Sequence, residues 1–450
     1  MNRQASKWGA VLAVVLSAVG CGGDDAGGGD TAKGTEHFFL PTGEPDNTTN
    51  PTVETDAAGN VHMVYPAYAG GDAYYATCSG NCTDEKQVKV VTLPTQGTVA
   101  NAMLALGPDG KPRVLLSTFS RVYYGVCTGD CTVASGWSLD VILEHGSKQE
   151  VSGEAFALTR DGRPRFLLHT YRAYLGIGQE APETYFAQCD ANCASPSGWQ
   201  YGRIAEQIWE EASLRLDAQD RPRIATVARV GTEGGTVLMG AYVACDADCL
   251  KEASWSPVAL QNAYADPYVA EIDAAVSLAL TGTGAPRVLL LAKDPQGVKS
   301  LVYAECDAAC TADSSWRGGF INQSDKIGAG LDLALDAQGR PRFVYTADGN
   351  ILLGHCDKDC AGASADWKLT QVELGADMPP DDIFLYPNCN VGAWFLRHPS
   401  LALGKDGLPR VAYRAEDISG GWSNPEPTQP GCQAGADMTL ARFAQLSSLD

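Results

Sequence analysis

The sequence predicts an all-β fold: a seven-bladed β-propeller of four-stranded blades whose ring is closed by an N-terminal strand. Three observations predict it. A turn of the form D-x-x-G-R-P-R recurs along the chain, a C-x-x-x-C pair recurs beside it, and a tryptophan stands at a near-constant distance behind most of those pairs.

Self-similarity is decisive because a missed repeat misassigns the whole fold. The unit is plainest between Leu331 and Trp367. Leu331 to Leu335 alternates larger and smaller residues, Asp336-Ala337-Gln338-Gly339-Arg340-Pro341-Arg342 turns the chain, and Phe343-Val344-Tyr345 begins a second strand. Ile351 to Cys356 then leads to Cys360 and Trp367. Equivalent turns run from Asp56 to His62, Pro108 to Arg113, Arg160 to Arg165, Asp217 to Arg223, Thr281 to Arg287 and Lys405 to Arg410. Asp and Gly supply the turn and its positive φ, and Pro opens the next strand where no ladder donor is needed.

Trp137, Trp199, Trp255 and Trp316 follow the second cysteine by the same interval, Trp367 lies one place further, and the first unit has Val88 there. Constant spacing among variable copies marks a packing position, so these residues are predicted to fill the space between blades. Four short strands per unit, with no amphipathic helix, fit a ring that leaves only short edges. Alternations such as Leu104-Ala105-Leu106 and Leu401-Ala402-Leu403 suit crowding around a tapering centre. The last unit has only three strands, beginning at Ser400, Arg410 and Met438. Glu36 to Leu40 is expected to pair beside residues 438 to 443 and supply the fourth.

The chain has 15 cysteines. Cys78/Cys82, Cys127/Cys131, Cys189/Cys193, Cys245/Cys249, Cys306/Cys310 and Cys356/Cys360 flank three polar residues each, a spacing that sets them opposite one another across a hairpin. Each is predicted to be a disulfide clamping the third and fourth strands, contributing about 2 kcal/mol. Zinc chelation is disfavoured, because no histidine recurs with the pairs; neither a metal nor a cofactor is expected. Cys389 and Cys432 are left to each other, tying the insertion before the last blade to the loop before its third strand. An even set behind an export signal implies an oxidising compartment.

That signal is Arg3 and Lys7, the apolar run Trp8 to Val19, and Gly20-Cys21. The run is shorter than the ~20 apolar residues that span a bilayer. Ala18-Val19-Gly20-Cys21 resembles the lipobox of bacterial lipoproteins, with Ala18 in place of the commoner leucine. The resemblance implies acylation of Cys21 and membrane contact through that anchor only. The chain then divides into a signal peptide (1–20), a lipidated flexible tether (21–35) and the propeller (36–450). Gly22, rather than an aspartate, after Cys21 points to the outer membrane. The net charge of −21 disfavours nucleic acid as a partner, and a monomer is expected.

From about residue 50 to 445 the repeats resemble those of sialidase-like seven-bladed propellers, with units of the type L-A-L-D-x-x-G-x-P-x-V-x-Y. The resemblance implies the fold. It transfers no catalytic residue, because C-x-x-x-C occupies the place of the family's Asp boxes. Arg113, Arg165, Arg223, Arg287, Arg342 and Arg410 follow the turn and are expected to decorate one rim as salt-bridge donors. No nucleophile elbow, zinc-protease, P-loop or dinucleotide motif is present.

The candidate binding rim combines loops before first strands with loops between second and third strands. The former carry Glu154, Trp209, Glu210, Glu211, Asp273, Trp394, Arg397 and His398; the latter include Arg172 and the long segments Thr170 to Thr184 and Arg414 to Gly431. Carboxylates beside exposed aromatics suit sugars or basic peptides, and long loops on one face carry function. Glu154 and Glu211 would serve acid-base glycosidic chemistry only about 5 to 9.5 Å apart. The reading is therefore an envelope lipoprotein acting as a non-catalytic binding or scaffold propeller for a glycan, peptide or protein. The alternative is a polysaccharide-active glycoside hydrolase or lyase of sialidase-like fold.

Overall fold

Short period-two runs broken by Asp-Gly turns can satisfy their backbone groups only by pairing with sequence neighbours. The computed structural model describes residues 34–41, 48–67, 71–144, 149–172, 183–206, 209, 211–232, 235–260, 269–270, 276–324, 326–378, 394–417 and 438–449. They form seven antiparallel sheets, each a blade; in six of them the strands follow in chain order from the innermost outward, and in the seventh the N-terminal strand lies outermost. Among the described residues there is no α-helix, only short 3-10 turns.

The first strands of blades 1 to 7 are Thr52–Thr55, Val99–Leu106, Gln149–Leu158, Glu211–Leu216, Ser277–Leu280, Ile327–Leu335 and Trp394–Leu403. In blade 5 a two-residue strand, Val269–Ala270, pairs with the same neighbour ahead of Ser277. Glu36–Phe39 closes the ring as expected. It lies against Met438–Gln445, with Glu36 opposite Gln445 and Phe39 opposite Arg442. His37 Nε2 reaches Glu373 at 3.3 Å, and the Arg442 guanidinium stands 4.5 Å above the Phe39 ring.

The tryptophans pack where the repeat places them. Each lies on a third-strand aromatic of the preceding blade: Trp137 on Tyr75, Trp199 on Tyr124, Trp255 on Phe186, Trp316 on Tyr242 and Trp367 on Tyr303, with ring centroids 4.8–5.7 Å apart. Four of the indoles also donate to the carbonyl of the second cysteine, at 2.9–3.0 Å: Trp137 to Cys131, Trp199 to Cys193, Trp255 to Cys249 and Trp316 to Cys310. One side chain thus fills the inter-blade space and fixes the cysteine loop.

All six C-x-x-x-C pairs are disulfides: Cys78–Cys82, Cys127–Cys131, Cys189–Cys193, Cys245–Cys249, Cys306–Cys310 and Cys356–Cys360, with Cα separations of 5.6–5.9 Å. Their place in the blade differs from the expected clamp between third and fourth strands. The first cysteine ends the third strand or follows it directly, but Cys82, Cys131, Cys193, Cys249, Cys310 and Cys360 all lie in the loop, outside any strand. Across the ladder the first cysteine faces the tryptophan instead, as in Cys127 opposite Trp137, Cys189 opposite Trp199 and Cys245 opposite Trp255. The physical reason is the length of the connection. A disulfide needs only close Cα atoms, which the three-residue turn provides without ladder pairing, and in the first five blades a 3-10 turn then intervenes before the fourth strand. Each bridge therefore ties down the loop, and the indole carries that constraint to the fourth strand. Cys21, Cys389 and Cys432 lie outside the described residues.

The repeated arginines do not decorate a surface; they turn inward as struts. Arg342, 1% exposed, donates to the Cys356 carbonyl at 3.0 Å, to Asp357 at 2.7 Å and to the turn residue Asp336 at 2.9 Å. Arg223 repeats all three bonds, to the Cys245 carbonyl, Asp246 and Asp217. A buried cation persists only when it is paired, and the turn and the cysteine loop converge on the two terminal nitrogens of one guanidinium to supply its carboxylate and carbonyl partners.

Candidate functional site

The seven first strands surround a channel with a cavity of about 200 Å³. A ring of side-chain bridges joins neighbouring blades along its wall. The Leu278 N–H donates to Ser213, Leu333 to Ser277, Leu401 to Asp332 and Val53 to Ser400, at 2.8–3.2 Å. Thr52 continues the series by donating to the Ala102 carbonyl at 2.9 Å. These residues occupy one repeat position, immediately before the last three residues of the first strand, where Met103 and Ala155 stand in blades 2 and 3. Deeper in the channel, burial raises the Glu54 carboxyl to about 7; Arg215 opposes the shift and Asp332 adds to it.

Two residues upstream of the bridging position the same strands reach the channel mouth. Blades 1, 2, 3, 4, 6 and 7 place Asn50, Asn101, Gly153, Glu211, Gly330 and His398 there. The strands are irregular at this level. Asn50, Gly330 and His398 all have positive φ, and register shifts interrupt the pairing between Ile327 and Leu331 and between Arg397 and Ser400. Bulges of this kind re-aim side chains that regular pleating would send between blades. For a non-glycine residue such a conformation is strained and must be held by its surroundings.

Two cavities open on this mouth, and Glu211 and His398 line both. The larger, about 590 Å³, is walled by Lys299, Lys326, Thr346, Asp348, Phe395 and Arg397 among others. The smaller, about 370 Å³, is walled by Asn50, Asn101, Ser117, Thr118, Phe119 and Ser152 among others. Phe119 is 51% exposed.

Behind the larger cavity lies a charge cluster. Glu416 accepts from Arg414 at 3.0 Å and pairs with Arg397 at 3.3 Å, so two guanidiniums share one carboxylate. Arg414 donates further to Thr49, which bonds Asn50. Its Nε is buried and has no hydrogen-bond partner among the described residues. Burial draws the Arg414 pKa down, Glu416 opposes this, and Arg397 adds repulsion. The same surroundings push His398 down to about 4, through burial first and then Arg414 and Arg397. His398 is therefore neutral at pH 7. Lys326 meets Asp348 at 3.2 Å across the cavity wall.

Glu211, Arg397 and His398, singled out in the sequence, come together here. Trp209 and Trp394 do not. Both are buried, at 6% and 5% exposure, which corrects the expectation of exposed aromatics. Trp209 packs between blades 3 and 4, its backbone N–H on Thr184, and fixes the loop that leads to Glu211. Trp394 packs with Phe39 at 5.5 Å and anchors the strand that carries Arg397 and His398. An indole buries so much apolar area at a blade junction that the core outcompetes the rim for it. Glu210 and Asp273 lie outside the described residues, as do the side chains of Glu154 and Arg172. The sequence reading names none of Phe119, Lys299, Lys326 and Glu416, although Glu416 falls within the rim segment Arg414 to Gly431. Phe119, Lys299 and Glu416 share a position, near the end of a second strand or the start of a third on the side away from the D-x-x-G turns, whereas Lys326 immediately precedes the first strand of blade 6.

No protein-family model matches the chain, and no curated protein does. Among solved structures, a protein of unknown function from Dyadobacter fermentans is 12% identical over 92% of this chain and 100% of its own, with a TM-score of 0.46. An ulvan lyase, a polysaccharide lyase, is 10% identical over 72% of this chain and 79% of its own, with a TM-score of 0.45. A Hadza microbial sialidase is 9% identical over 72% of this chain and 66% of its own, with a TM-score of 0.42. The likeness at this level is one of blade architecture and carries nothing about chemistry.

Proposed function

We propose that the channel mouth is a binding site for an acidic glycan, presented by an envelope protein held through acylated Cys21. One observation carries this reading. In a chain with 54 acidic and 33 basic side chains, Lys299, Lys326 and Arg397 outnumber Glu211 and Asp348 around one 590 Å³ cavity, with Arg414 behind them. Cations concentrated in a concave, partly desolvated wall focus the field and attract an anion against the repulsion of the whole. Two guanidiniums on a single Glu416 leave one positive charge for a ligand carboxylate or sulfate. The cavity's remaining polar wall and Phe395 suit sugar hydroxyls and a sugar face.

A second reading, a polysaccharide hydrolase or lyase, draws support from His398. A neutral imidazole beside arginines, at a strained position shared by both cavities, has the protonation state of a general base.

A glycan array probed with the purified protein tests the first reading. Uronate-bearing or sialylated glycans should be retained, and Arg397→Ala should weaken retention by roughly tenfold or more. Retention of neutral glycans alone would refute it. Release of reducing ends or unsaturated uronate from an acidic polysaccharide, lost in His398→Gln, would establish the second reading. Mass analysis of the membrane-extracted N-terminus tests acylation of Cys21.

A further inference from the structure

The two cavities differ in chemistry, and the geometry points to a ligand that is itself two-part: an acidic sugar joined to an uncharged one, with the linkage lying over Glu211 and His398. The inference rests on the acidic-glycan reading and extends it to the second cavity.

The larger cavity carries Lys299, Lys326 and Arg397. Among the described residues no Lys or Arg lines the smaller one, whose wall is amide, hydroxyl, aliphatic and aromatic apart from Glu211 and His398. A carboxylate-bearing sugar placed there would meet the Glu211 carboxylate and no cation of that wall. His398, neutral at pH 7, supplies no charge. An uncharged pyranose meets no such penalty. Its hydroxyls find Asn50, Thr118 and Ser152, and its C–H face finds Phe119.

Phe119 is built to receive a ligand face. Its ring is exposed, yet its loop is pinned: the Phe119 carbonyl accepts from Val151 of blade 3 at 3.1 Å, and Thr118 Oγ1 accepts the Arg121 N–H at 3.1 Å. The floor is fixed too. Asn101 donates to the Gly153 carbonyl at 2.9 Å, and the Gly153 N–H donates to Ser117 at 2.8 Å. A large apolar ring held out to water on an ordered loop loses little entropy on stacking against a sugar. Since the cavities share Glu211 and His398, a chain crossing the mouth passes from the cationic lobe to the neutral one at those residues.

Calorimetry with alternating oligosaccharides tests this. The probes are a hyaluronan tetrasaccharide and a glucuronoxylan aldotetraouronic acid, which join uronate to uncharged sugars, against tetragalacturonate, which is acidic throughout. At least one mixed probe should bind more tightly than tetragalacturonate. Phe119→Ala should weaken that probe by roughly threefold to tenfold and leave tetragalacturonate unchanged, while Phe119→Tyr should restore it. Arg397→Ala should weaken both kinds. Equal affinity for mixed and uniform probes, or a mixed probe indifferent to Phe119→Ala, overturns the two-part ligand while the acidic site stands. Absence of binding by all three probes overturns both.

Discussion

Gly330 in blade 6 lies directly against the backbone of His398 in blade 7: a Cβ built on Gly330 would stand 2.6 Å from the His398 Cα and 2.8 Å from its nitrogen. Gly330 also has φ +104°, where an L side chain is strained whatever the space. The two irregular backbones therefore depend on each other, and His398 reaches the mouth because blade 6 gives way beneath it.

Gly330→Ala should accordingly cost about 2 to 4 kcal/mol, combining backbone strain with a contact that neither main chain can relax. Because the displaced group is His398, ligand affinity should fall by more than the lost stability explains. Urea unfolding together with binding below the transition checks both parts. A variant of unchanged stability would show that the contact is not limiting.

Glu416 holds the two arginines in place while cancelling part of their charge. Glu416→Gln should leave them facing a neutral amide, which raises the positive potential of the larger cavity. Affinity for an acidic oligosaccharide should rise severalfold at low salt, and the gain should shrink at roughly 0.5 M salt, where screening is short-ranged. Stability should fall, since Arg414 is largely buried and loses its charged partner. Weaker binding with an unchanged salt response would indicate that Glu416 positions the arginines rather than offsetting them.

What was legible in the sequence was what recurs. The turn, the cysteine pairs and Trp137 through Trp316 repeat because every blade solves the same packing problem, and the ring closure followed from a missing strand. The pairing of Cys82, Cys131, Cys193 and Cys310 could be read from spacing, but their place in the loop could not, because a five-residue ring closes equally well inside a hairpin or ahead of one. The mouth does not recur. Asn50, Asn101, Gly153, Glu211, Gly330 and His398 share a position and no chemistry, so no comparison of units aligns them by type. Bulges such as that between Arg397 and Ser400 also break the period-two rule by which facing is inferred. Trp209 and Trp394 are buried against expectation for the converse reason: both sit in non-repeating segments, where an aromatic at a blade junction looks like one in a loop.

The closing strand depends on a buried ionic group. Glu373, 3% exposed, accepts Arg442 through both oxygens, accepts the Tyr413 hydroxyl and meets His37 of the strand itself. Glu373→Ala leaves Arg442 buried without its counter-ion, a change expected to cost about 3 to 5 kcal/mol. Hydrogen exchange should locate the loss in blade 7, with protection of residues 36–39 and 438–445 falling before that of blades 2 to 5. Uniform loss around the ring would instead mark the network as part of a global core.

The channel carboxyl makes a prediction with a definite sign. Glu54 is raised from 4.5 to about 7, chiefly by burial, so the folded protein holds this proton more tightly than the unfolded chain does. Below pH 4.5 both states are protonated and Glu54 costs nothing. Between pH 4.5 and 7 the unfolded state gains by ionising while the folded state resists, so stability is lost as pH rises, and the full cost is present above pH 7. Glu54→Gln removes that cost but also deprives Arg215 of a nearby negative charge, which trims the gain. The variant should match the parent at about pH 4.5 and exceed it by about 1 to 3 kcal/mol at about pH 8. Parallel stability curves from about pH 4.5 to 8 would mean that water in the channel solvates the carboxylate as well as bulk solvent does.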